Sequence, residues 1–453
     1  MPEVPKFRIS VIGSGPIGKL LLSSVAAHPR IEYTQFEAET LPLRPAFGYG
    51  IGPQTLATTK RLSLFSPPNP LFFYLLLFSD FKFRCHVSLN ILLFASVDCI
   101  STSFFSCSSK RIARPILADP VWMEFHHGGE EDNHLHTIRV PEGEVFGRIG
   151  RDELMVMLDA FGPKDTPIQY GKKLKSVKKS TDGELTLTFE DGGEDHANAL
   201  WACDGMNSLC RKFVQGEDYI PAAYSGHVTF RGKVESSKIE AEIGKRFTTD
   251  TSMFLGIKGW HVLTFPIDGG KYVNIAAFSM EEVQKKRGRN YVTTTDELLT
   301  YFPGANSKVR KFLTLLNDQP GGCVCLELTH MQTLGTFTNQ SLCMTSFGDS
   351  ANGMLPHIGG SMATGFIGVT TFLHEELNPR IHALNPNASN AEIAEVLMEA
   401  SIAYERKHKP LAQKLVDYSR EQGFVFSGGV TDAEELARRA RFLWKADSYN
   451  ATV

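Results

Sequence analysis

The chain has 453 residues, a length that exceeds one small hydrophobic core and suggests two or three domains. It carries 47 Lys and Arg against 50 Asp and Glu, for a formal net charge of -3, so we expect no broad cationic surface and no nucleic-acid partner. The eight cysteines form no CxxC pair, and Cys323 and Cys325 are spaced too tightly for a zinc knuckle. We therefore expect reduced thiols, no metal site and a small-molecule function.

The amino-terminal residues MPEVPKFRISVIG enter a strand directly and lack the basic and apolar regions of a secretion signal. This pattern predicts a cytoplasmic protein.

One segment, Arg61 to Lys110, differs in composition from the rest of the chain, because it is rich in Phe, Leu and Ser and has no Gly, Glu, Gln or Met. Its longest apolar run, Leu71 to Phe78, is too short for a membrane helix, which needs about 20 residues, so we expect no stable membrane anchor. Phe, Leu and Ser share pyrimidine-rich codons, which suggests a retained intron; a genuine hydrophobic insertion is the alternative. Sequencing the transcript distinguishes the two. Three of the cysteines, Cys85, Cys99 and Cys107, lie in this segment.

A dinucleotide fingerprint begins at the first strand. The apolar run Phe7 to Ile12 suits a buried parallel strand, and the turn Gly13-Ser14-Gly15-Pro16-Ile17-Gly18 follows it directly, ahead of a helix-compatible run. Glycines at these positions allow a tight turn and bring backbone N–H groups close to a pyrophosphate, which the helix N-terminus stabilises. The order of strand, glycine turn and helix predicts dinucleotide binding at Gly13, Gly15 and Gly18.

The second predicted strand, Ile31 to Phe36, leads to Glu37, which lies 24 positions after Gly13. About 20 positions is the usual spacing of an acidic residue that binds ribose hydroxyls. Glu37 is therefore a predicted ribose ligand, and a solvated carboxylate at the strand end is the alternative.

Three further blocks carry polar residues at the ends of predicted strands or at helix starts. They are Gly150-Arg151-Asp152-Glu153-Leu154, then Trp201 to Arg211 with Asp204, Gly205, Ser208 and Arg211, and then Gly348-Asp349-Ser350-Ala351-Asn352-Gly353-Met354-Leu355-Pro356-His357 followed by Ile358-Gly359-Gly360. An Asp-Gly turn alone explains Asp204 and Gly205 but leaves Ser208 and Arg211 unexplained.

Taken with the glycine turn, these blocks resemble the salicylate hydroxylase-like FAD-dependent aromatic monooxygenases, over nearly the whole chain apart from Arg61 to Lys110. The resemblance implies FAD as cofactor, held by the residues Gly13, Gly15, Gly18, Glu37, Arg151, Asp204, Gly205, Arg211, Gly348, Asp349, Pro356, Gly359 and Gly360. Arg151 would approach the phosphate and ribityl region, unless it is an ordinary surface arginine, and Asp349 would hold a ribityl hydroxyl. Two departures, Asn352 in place of the family's histidine and Gly360-Ser361 in place of its glutamine-glycine pair, lie close to the expected flavin.

The predicted fold class is α/β: a Rossmann-like FAD-binding domain, with a parallel sheet plus a β-meander, an antiparallel-sheet substrate domain and C-terminal helices. The predicted boundaries are 1–215 for the discontinuous FAD-binding domain, 216–340 for the substrate domain, 341–378 for the return segment and 391–453 for the helices. Strand-like alternation supports the substrate domain over Tyr224 to Lys233, Ser252 to Ile267 and Lys271 to Ser279. Helical spacing runs from Ala391 to Gly423.

The resemblance implies that NADPH or NADH reduces FAD, that O2 forms a flavin C4a-hydroperoxide, and that a small aromatic or phenolic substrate takes up the oxygen. The predicted catalytic residues are Arg231, to bind a phenolate or carboxylate, His261, to accept a proton, and His357, close to the expected ring. Structural or surface roles for both histidines are the alternative. An FAD-dependent oxidase or dehydrogenase, or a mis-spliced chain without activity, are the competing hypotheses for the whole protein.

Overall fold

The computed structural model of the chain describes residues 6–40, 48–52, 121–130, 134–140, 142, 146–161, 168–181, 183–256, 259–287, 291–428 and 432–445. The segment Arg61 to Lys110, with its three cysteines, lies outside these residues, so the predictions made for it stay predictions.

The strands of the described residues are β1 (Phe7–Ile12), β2 (Ile31–Phe36), β3 (Gly48–Ile51), β4 (Val121–His127), β5 (His134–Arg139), β6 (Gly147–Gly150), β7 (Ile168–Gln169), β8 (Leu174–Lys179), β9 (Leu185–Phe189), β10 (Glu194–Ala197), β11 (Ala199–Ala202), β12 (Ala223–Glu235), β13 (Ser252–Leu255), β14 (Trp260–Ile267), β15 (Tyr272–Met280), β16 (Tyr291–Val292), β17 (Val324–His330), β18 (Thr338–Asn339) and β19 (Met344–Ser346). The α-helices of the same residues are α1 (Pro16–Ser24), α2 (Arg151–Phe161), α3 (Cys210–Gln215), α4 (Ser236–Glu242), α5 (Thr295–Thr300), α6 (Ser307–Asn317), α7 (Asp349–Asn352), α8 (Ser361–Thr370), α9 (Asn378–Ala383), α10 (Asn390–Ser427) and α11 (Ala433–Lys445).

A six-stranded sheet in the order β18-β19-β11-β1-β2-β7 contains the strand that leads into the glycine turn, and we call it the nucleotide-binding part because the sequence analysis assigns nucleotide binding to it. β1 pairs in parallel with both β2 and β11, so its apolar side chains are buried on both faces, as the continuous run Phe7–Ile12 predicts. The predicted returning strand between Leu185 and Ala202 is in fact three strands, of which only β11 joins this sheet. β9 and β10 pair with β8 in a separate three-stranded meander. The predicted combination of a parallel sheet with a meander is confirmed.

The second large sheet has eight strands in the order β16-β17-β12-β15-β14-β13-β4-β5 and is antiparallel apart from the pair of β13 with β4. The predicted strand from Ser252 to Ile267 is split into β13 and β14, which form a hairpin. The sheet also takes in β4 and β5, which come from the range 1–215 that the sequence analysis assigned to the FAD-binding domain.

Side-chain alternation gives the eight-stranded sheet two different faces. Val228 and Phe230 of β12 are buried with the helices α4 and α6, and each such side chain contributes roughly 1.5 to 3 kcal/mol. The intervening residues, His227, Thr229 and Arg231, lie on the opposite face of the same strand. Gly48 of β3 meets that face, where its N–H donates to the Asn274 side chain at 3.0 Å. The polar face of the sheet is therefore turned towards the nucleotide-binding part.

The C-terminal helix α10 joins the two parts of the fold. It begins with a capping box in which Ser389 and Glu392 exchange hydrogen bonds, and it continues through Pro410 for 38 residues. Near its middle, Ser401 hydrogen bonds with Thr345 of β19 at 2.7 Å, and at its end Ser427 lies 3.2 Å from His261 of β14. The predicted helical region is confirmed, and its last residues reach the polar face of the eight-stranded sheet.

Within the described residues, no helix has the length and hydropathy that are needed to cross a bilayer. The cysteines of the same residues, Cys203, Cys210, Cys323, Cys325 and Cys343, are buried free thiols. No group of His, Cys, Asp or Glu in this part of the chain has a geometry suited to a metal ion.

Candidate functional site

The three positions of the fingerprint are occupied by glycine for different structural reasons. Gly13 has φ +104, and a Cβ there would lie 2.3 Å from the Cys203 carbonyl oxygen. A Cβ on Gly18 would lie 2.2 Å from the Gly13 carbonyl oxygen. At both positions the close approach of the chain's own backbone is already a sufficient reason for glycine. A Cβ on Gly15, at the start of α1, would meet no atom of the described residues within 4 Å. The absence of a side chain at Gly15 therefore leaves room for something other than the described chain.

Glu37 closes this turn from the end of β2. Its carboxylate accepts hydrogen bonds from the Ser14 N–H at 2.9 Å and from the Ser14 hydroxyl at 2.8 Å, and it also accepts one from the Glu39 N–H at 3.1 Å. The side chain is buried, so the alternative of a solvated strand-end carboxylate is wrong. Glu37 lies beside the glycine turn, as the spacing predicted.

The block around Asp204 connects β11 to the Gly348 block. Asp204 accepts a hydrogen bond from the Ser208 hydroxyl at 2.5 Å and one from the Cys210 N–H at 3.1 Å, so it caps the start of α3. Arg211 is buried and donates to the carbonyl oxygens of Asp349 and Ser350 at 3.4 and 3.3 Å. Ser208 and Arg211, the two residues that an Asp-Gly turn alone left unexplained, thus hold the Asp204-Gly205 turn against α7. A direct contact of Asp204, Gly205 or Arg211 with a cofactor stays a prediction.

The Gly348 block follows β19 and places a half-buried carboxylate between two glycine turns. Gly348 and Gly359 have φ values of 61 and 63, in the left-handed region that favours glycine. Asp349 accepts a hydrogen bond from the Ser361 hydroxyl at 2.5 Å. Burial raises the pKa of Asp349, while the Ser361 hydrogen bond and the positive charge of Arg211 oppose that rise. The helix expected near Gly359 begins at Ser361 and is α8, so its free N–H groups lie next to Asp349.

Tyr49 of β3 brings the predicted cofactor residues and the predicted substrate residues together. Burial raises the pKa of its hydroxyl. The charges of Arg151 and Arg231 oppose that rise, as does a hydrogen bond with Arg151, while Asp349 adds to it. The hydrogen bond places Arg151 of α2 against the phenol, and the charges of Arg231 of β12 and Asp349 of α7 are near enough to act on it. Sequence reasoning missed Tyr49, since the sequence around it carries no recognisable motif.

Arg231 lies on the polar face of the eight-stranded sheet. Its guanidinium lies over the Phe278 ring at 5.6 Å, and its Nε donates to the Thr229 hydroxyl at 3.3 Å. Burial lowers the pKa of Arg231 to about 10, and the Tyr49 hydroxyl works in the opposite direction. The guanidinium therefore keeps its positive charge at neutral pH in a largely desolvated position.

The two predicted catalytic histidines meet, and a third histidine joins them. The rings of His261 and His357 lie 5.3 Å apart between centroids, and the ring of His227 lies 5.4 Å from that of His357. All three are buried, so the alternative of a surface role for His261 and His357 is wrong. Sequence reasoning missed His227, although its spacing of four residues from Arg231 on one strand was a usable signal.

A cleft opens beside His357, under the C-terminal helices. Its apolar lining residues are Trp122, Ile358, Phe426 and Leu436, and its polar ones are His357, Gln422 and Arg439.

Asn352, which replaces the family's histidine, is fully buried, and neither its amide nitrogen nor its amide oxygen has a hydrogen-bond partner among the described residues. A buried primary amide without partners costs several kcal/mol unless another molecule supplies them. This orphaned amide, the open side of Gly15 and the half-buried Asp349 fit a polar cofactor bound at these residues.

No protein-family model matches the chain. Among curated proteins, it is 29% identical over 345 residues to the dual trans-enoyl reductase/FAD-dependent monooxygenase tazHJ of Aspergillus terreus, covering 72% of this chain and 48% of that protein. It is 26% identical to a salicylate hydroxylase of Pseudomonas putida, covering 73% of this chain and 76% of that one. The chain spans about half the length of the first curated relatives it matches.

A solved structure of a salicylate hydroxylase substrate complex superposes with a TM-score of 0.68 and 22% identity, over 99% of both chains. This likeness establishes the fold: the predicted α/β class, with its antiparallel second sheet and C-terminal helices, is confirmed. In sequence and in fold, the chain is a relative of the FAD-dependent monooxygenases that include salicylate hydroxylase.

Proposed function

We propose that this chain is an FAD-dependent monooxygenase that uses NAD(P)H and O2 to hydroxylate a small aromatic or phenolic substrate. The observation that carries the proposal is the Gly348 block, where the unpartnered Asn352 amide lies in the same short helix as Asp349, which accepts a hydrogen bond from Ser361. The names of the curated relatives agree with it.

The chain's own residues fit FAD in a defined order. Gly15 and the N-terminus of α1 would receive the pyrophosphate, because no side chain stands in its way there. Glu37 would bind the ribose, and Asp349 would accept a hydrogen bond from a ribityl hydroxyl. The N–H groups at the start of α8, behind Gly359 and Gly360, would face the pyrimidine edge of the ring. Bound FAD would supply the redox chemistry with oxygen that no side chain provides.

Substrate binding would fall to the polar face of the eight-stranded sheet. Arg231 is desolvated and cationic, so it would favour the phenolate form of a substrate hydroxyl next to it. Burial lowers the pKa of His261 and His357 well below the usual value, with a contribution from neighbouring histidines. A neutral imidazole of this kind accepts a hydrogen bond from a phenol more readily than it removes the proton, so the phenol would release its proton to solvent water on binding, and the charge of Arg231 would favour the phenolate that remains.

The test is oxygen incorporation by the purified, FAD-loaded chain. With a panel of phenols and aromatic acids, we expect one class to accelerate the oxidation of NADPH or NADH and to yield a hydroxylated product that carries label from ¹⁸O2. Accelerated NAD(P)H oxidation with hydrogen peroxide and no labelled product would instead support the oxidase alternative. A chain that retains no flavin after purification would support the mis-spliced alternative.

A further inference from the structure

One exposed aromatic side chain lies beside the predicted cofactor residues. Tyr170 directly follows β7 and is 43% exposed. Among the described residues, its ring stacks on no other aromatic ring and its hydroxyl has no hydrogen-bond partner. Single exposed aromatic residues are common on protein surfaces, so the position of Tyr170 decides whether it has a role.

Three neighbouring parallel strands end at the same edge of the six-stranded sheet. β2 lies between β1 and β7 and pairs in parallel with both. The carboxyl end of β1 leads into the glycine turn, that of β2 into Glu37 and that of β7 into Tyr170. In open sheets of this kind, ligands bind outside the carboxyl ends of the strands. The glycine turn, Glu37 and Tyr170 therefore form a row along the edge at which a nucleotide would bind.

The backbone around Tyr170 is fixed to the end of β2. The Glu37 N–H donates to the Gln169 carbonyl oxygen at 2.9 Å, and the Lys172 N–H donates to the Glu37 carbonyl oxygen at 2.8 Å. Tyr170 thus lies between two residues that both hydrogen bond to Glu37, and Gly171, with φ +74, then turns the chain. The position of Tyr170 next to Glu37 is therefore set by the backbone.

The phenol of Tyr170 lies within the field of two carboxylates. Partial burial raises the pKa of its hydroxyl, and the charges of Asp159 in α2 and of Glu37 raise that pKa further. Asp159 itself accepts a hydrogen bond from Lys19 of α1. The phenol therefore lies on the side of the predicted ribose ligand, close to the helices α1 and α2.

The order of this row matches the order of the groups in FAD. From the flavin outwards, the dinucleotide consists of the ribityl chain, the pyrophosphate, the ribose and the adenine. The proposed places of the pyrophosphate at Gly15 and of the ribose at Glu37 leave the adenine one step further along the row, at Tyr170. An aromatic ring with no stacking partner of its own has a face free for a base, and stacking needs no hydrogen bond.

We propose that Tyr170 binds the adenine ring of FAD by stacking, and that this contact makes the chain select the dinucleotide over FMN. The inference rests on the proposed function for the identity of the cofactor, but not for the reaction at the flavin. Replacing Tyr170 by alanine removes the stacking surface and leaves the glycine turn and Glu37 unchanged.

Titration of the flavin-free full chain with FAD and with FMN, followed by quenching of flavin fluorescence, tests this role without turnover. FMN shares the flavin, the ribityl chain and one phosphate with FAD but lacks the adenosine. In Tyr170→Ala we expect the Kd for FAD to rise about 5- to 150-fold, the range covered by the stacking of bases on aromatic side chains. The Kd for FMN should stay within about twofold of its value in the original chain, because FMN carries no base.

Two further variants separate stacking from a general change in the fold. Phenylalanine keeps the aromatic face, so Tyr170→Phe should bind FAD within about threefold of the original chain. Tyr272→Ala is the matched control, because Tyr272 begins β15 in the eight-stranded sheet, beside Lys233 and Lys271, and should leave both Kd values within about twofold. A Tyr170→Ala protein that binds FAD within twofold of the original chain would overturn the proposal. Equal losses of FAD and FMN affinity would overturn it too, since they indicate a structural role.

The two proposals fail in different ways. A selective loss of FAD affinity in Tyr170→Ala, together with no oxygen-labelled product from any substrate, would refute the monooxygenase activity and leave the role of Tyr170 standing. Labelled product from a chain whose Tyr170→Ala variant binds FAD as tightly as the original would support the activity and refute the stacking contact.

Discussion

Replacing Gly15 by valine separates cofactor binding from folding. A Cβ at this position meets no atom of the described residues within 4 Å, and its backbone has φ -68 and ψ 179, which any residue adopts. We therefore expect the flavin-free Gly15→Val protein to keep the melting temperature of the original chain within about 2 °C, because its expected change in folding free energy is under about 0.5 kcal/mol. The isopropyl group would occupy the space in which a pyrophosphate approaches the N–H groups of α1.

The expected loss of FAD affinity follows from those N–H groups. A hydrogen bond to a charged group contributes roughly 1.5 to 3 kcal/mol, so the loss of one raises the Kd for FAD by about 10- to 150-fold. The assay is quenching of FAD fluorescence on titration with flavin-free protein. Gly18→Ala is the control, because its Cβ would lie 2.2 Å from the Gly13 carbonyl oxygen and should destabilise the fold itself. A Gly15→Val protein that binds FAD within twofold of the original chain would refute the placement of the pyrophosphate.

Four other outcomes are expected. Asp349→Ala should weaken FAD binding at least tenfold in equilibrium dialysis. In the original chain the Ser361 hydrogen bond lowers the pKa of Asp349, so Ser361→Ala should raise that pKa and shift the pH at which FAD is released to higher values. Burial raises the pKa of Glu281, but hydrogen bonds led by the one from Arg287 lower it to about 2. The ionised Glu281 carboxylate therefore stabilises the folded state above pH ~4.5, and this contribution to the free energy of unfolding is lost as the pH falls to about 2. Glu281→Gln should remove roughly 1 to 2 kcal/mol of it, measured by urea unfolding at pH 7 against pH 3. Deletion of Arg61 to Lys110, joining its flanking residues, should raise soluble yield or leave it unchanged; loss of flavin binding would show that the segment belongs to the cofactor domain.

Local patterns predicted the parts of the site that neighbouring residues build. The run Phe7–Ile12, the glycine turn and Glu37 are close in sequence, and each has a steric or hydrogen-bonding reason that acts within that stretch. The same is true of the capping box that starts α10 at Ser389. These elements could be predicted because their causes are short-range.

Long-range pairing explains what the sequence did not reveal. β4 joins the eight-stranded sheet through a parallel pairing with β13, more than 100 residues later in the chain, and nothing in its own residues specifies that partner. The convergence of Arg151 with Asp349 on Tyr49 likewise depends on how two sheets meet. Arg211 was recognised from its motif, but its hydrogen-bond partners were not. They are backbone carbonyls of α7, and they follow from the packing of α3 against α7.

The cluster of His227, His261 and His357 lies between these two cases. Alternation along β12 was enough to place His227 on the same face as Arg231, and alternation along β14 was enough to place His261. The pairing of β14 with β15 then sets the aromatic neighbour, because His261 lies opposite Phe278. The third ring comes from the turn at His357, outside the sheet, so the sheet's own alternation could not have predicted its contact with His261.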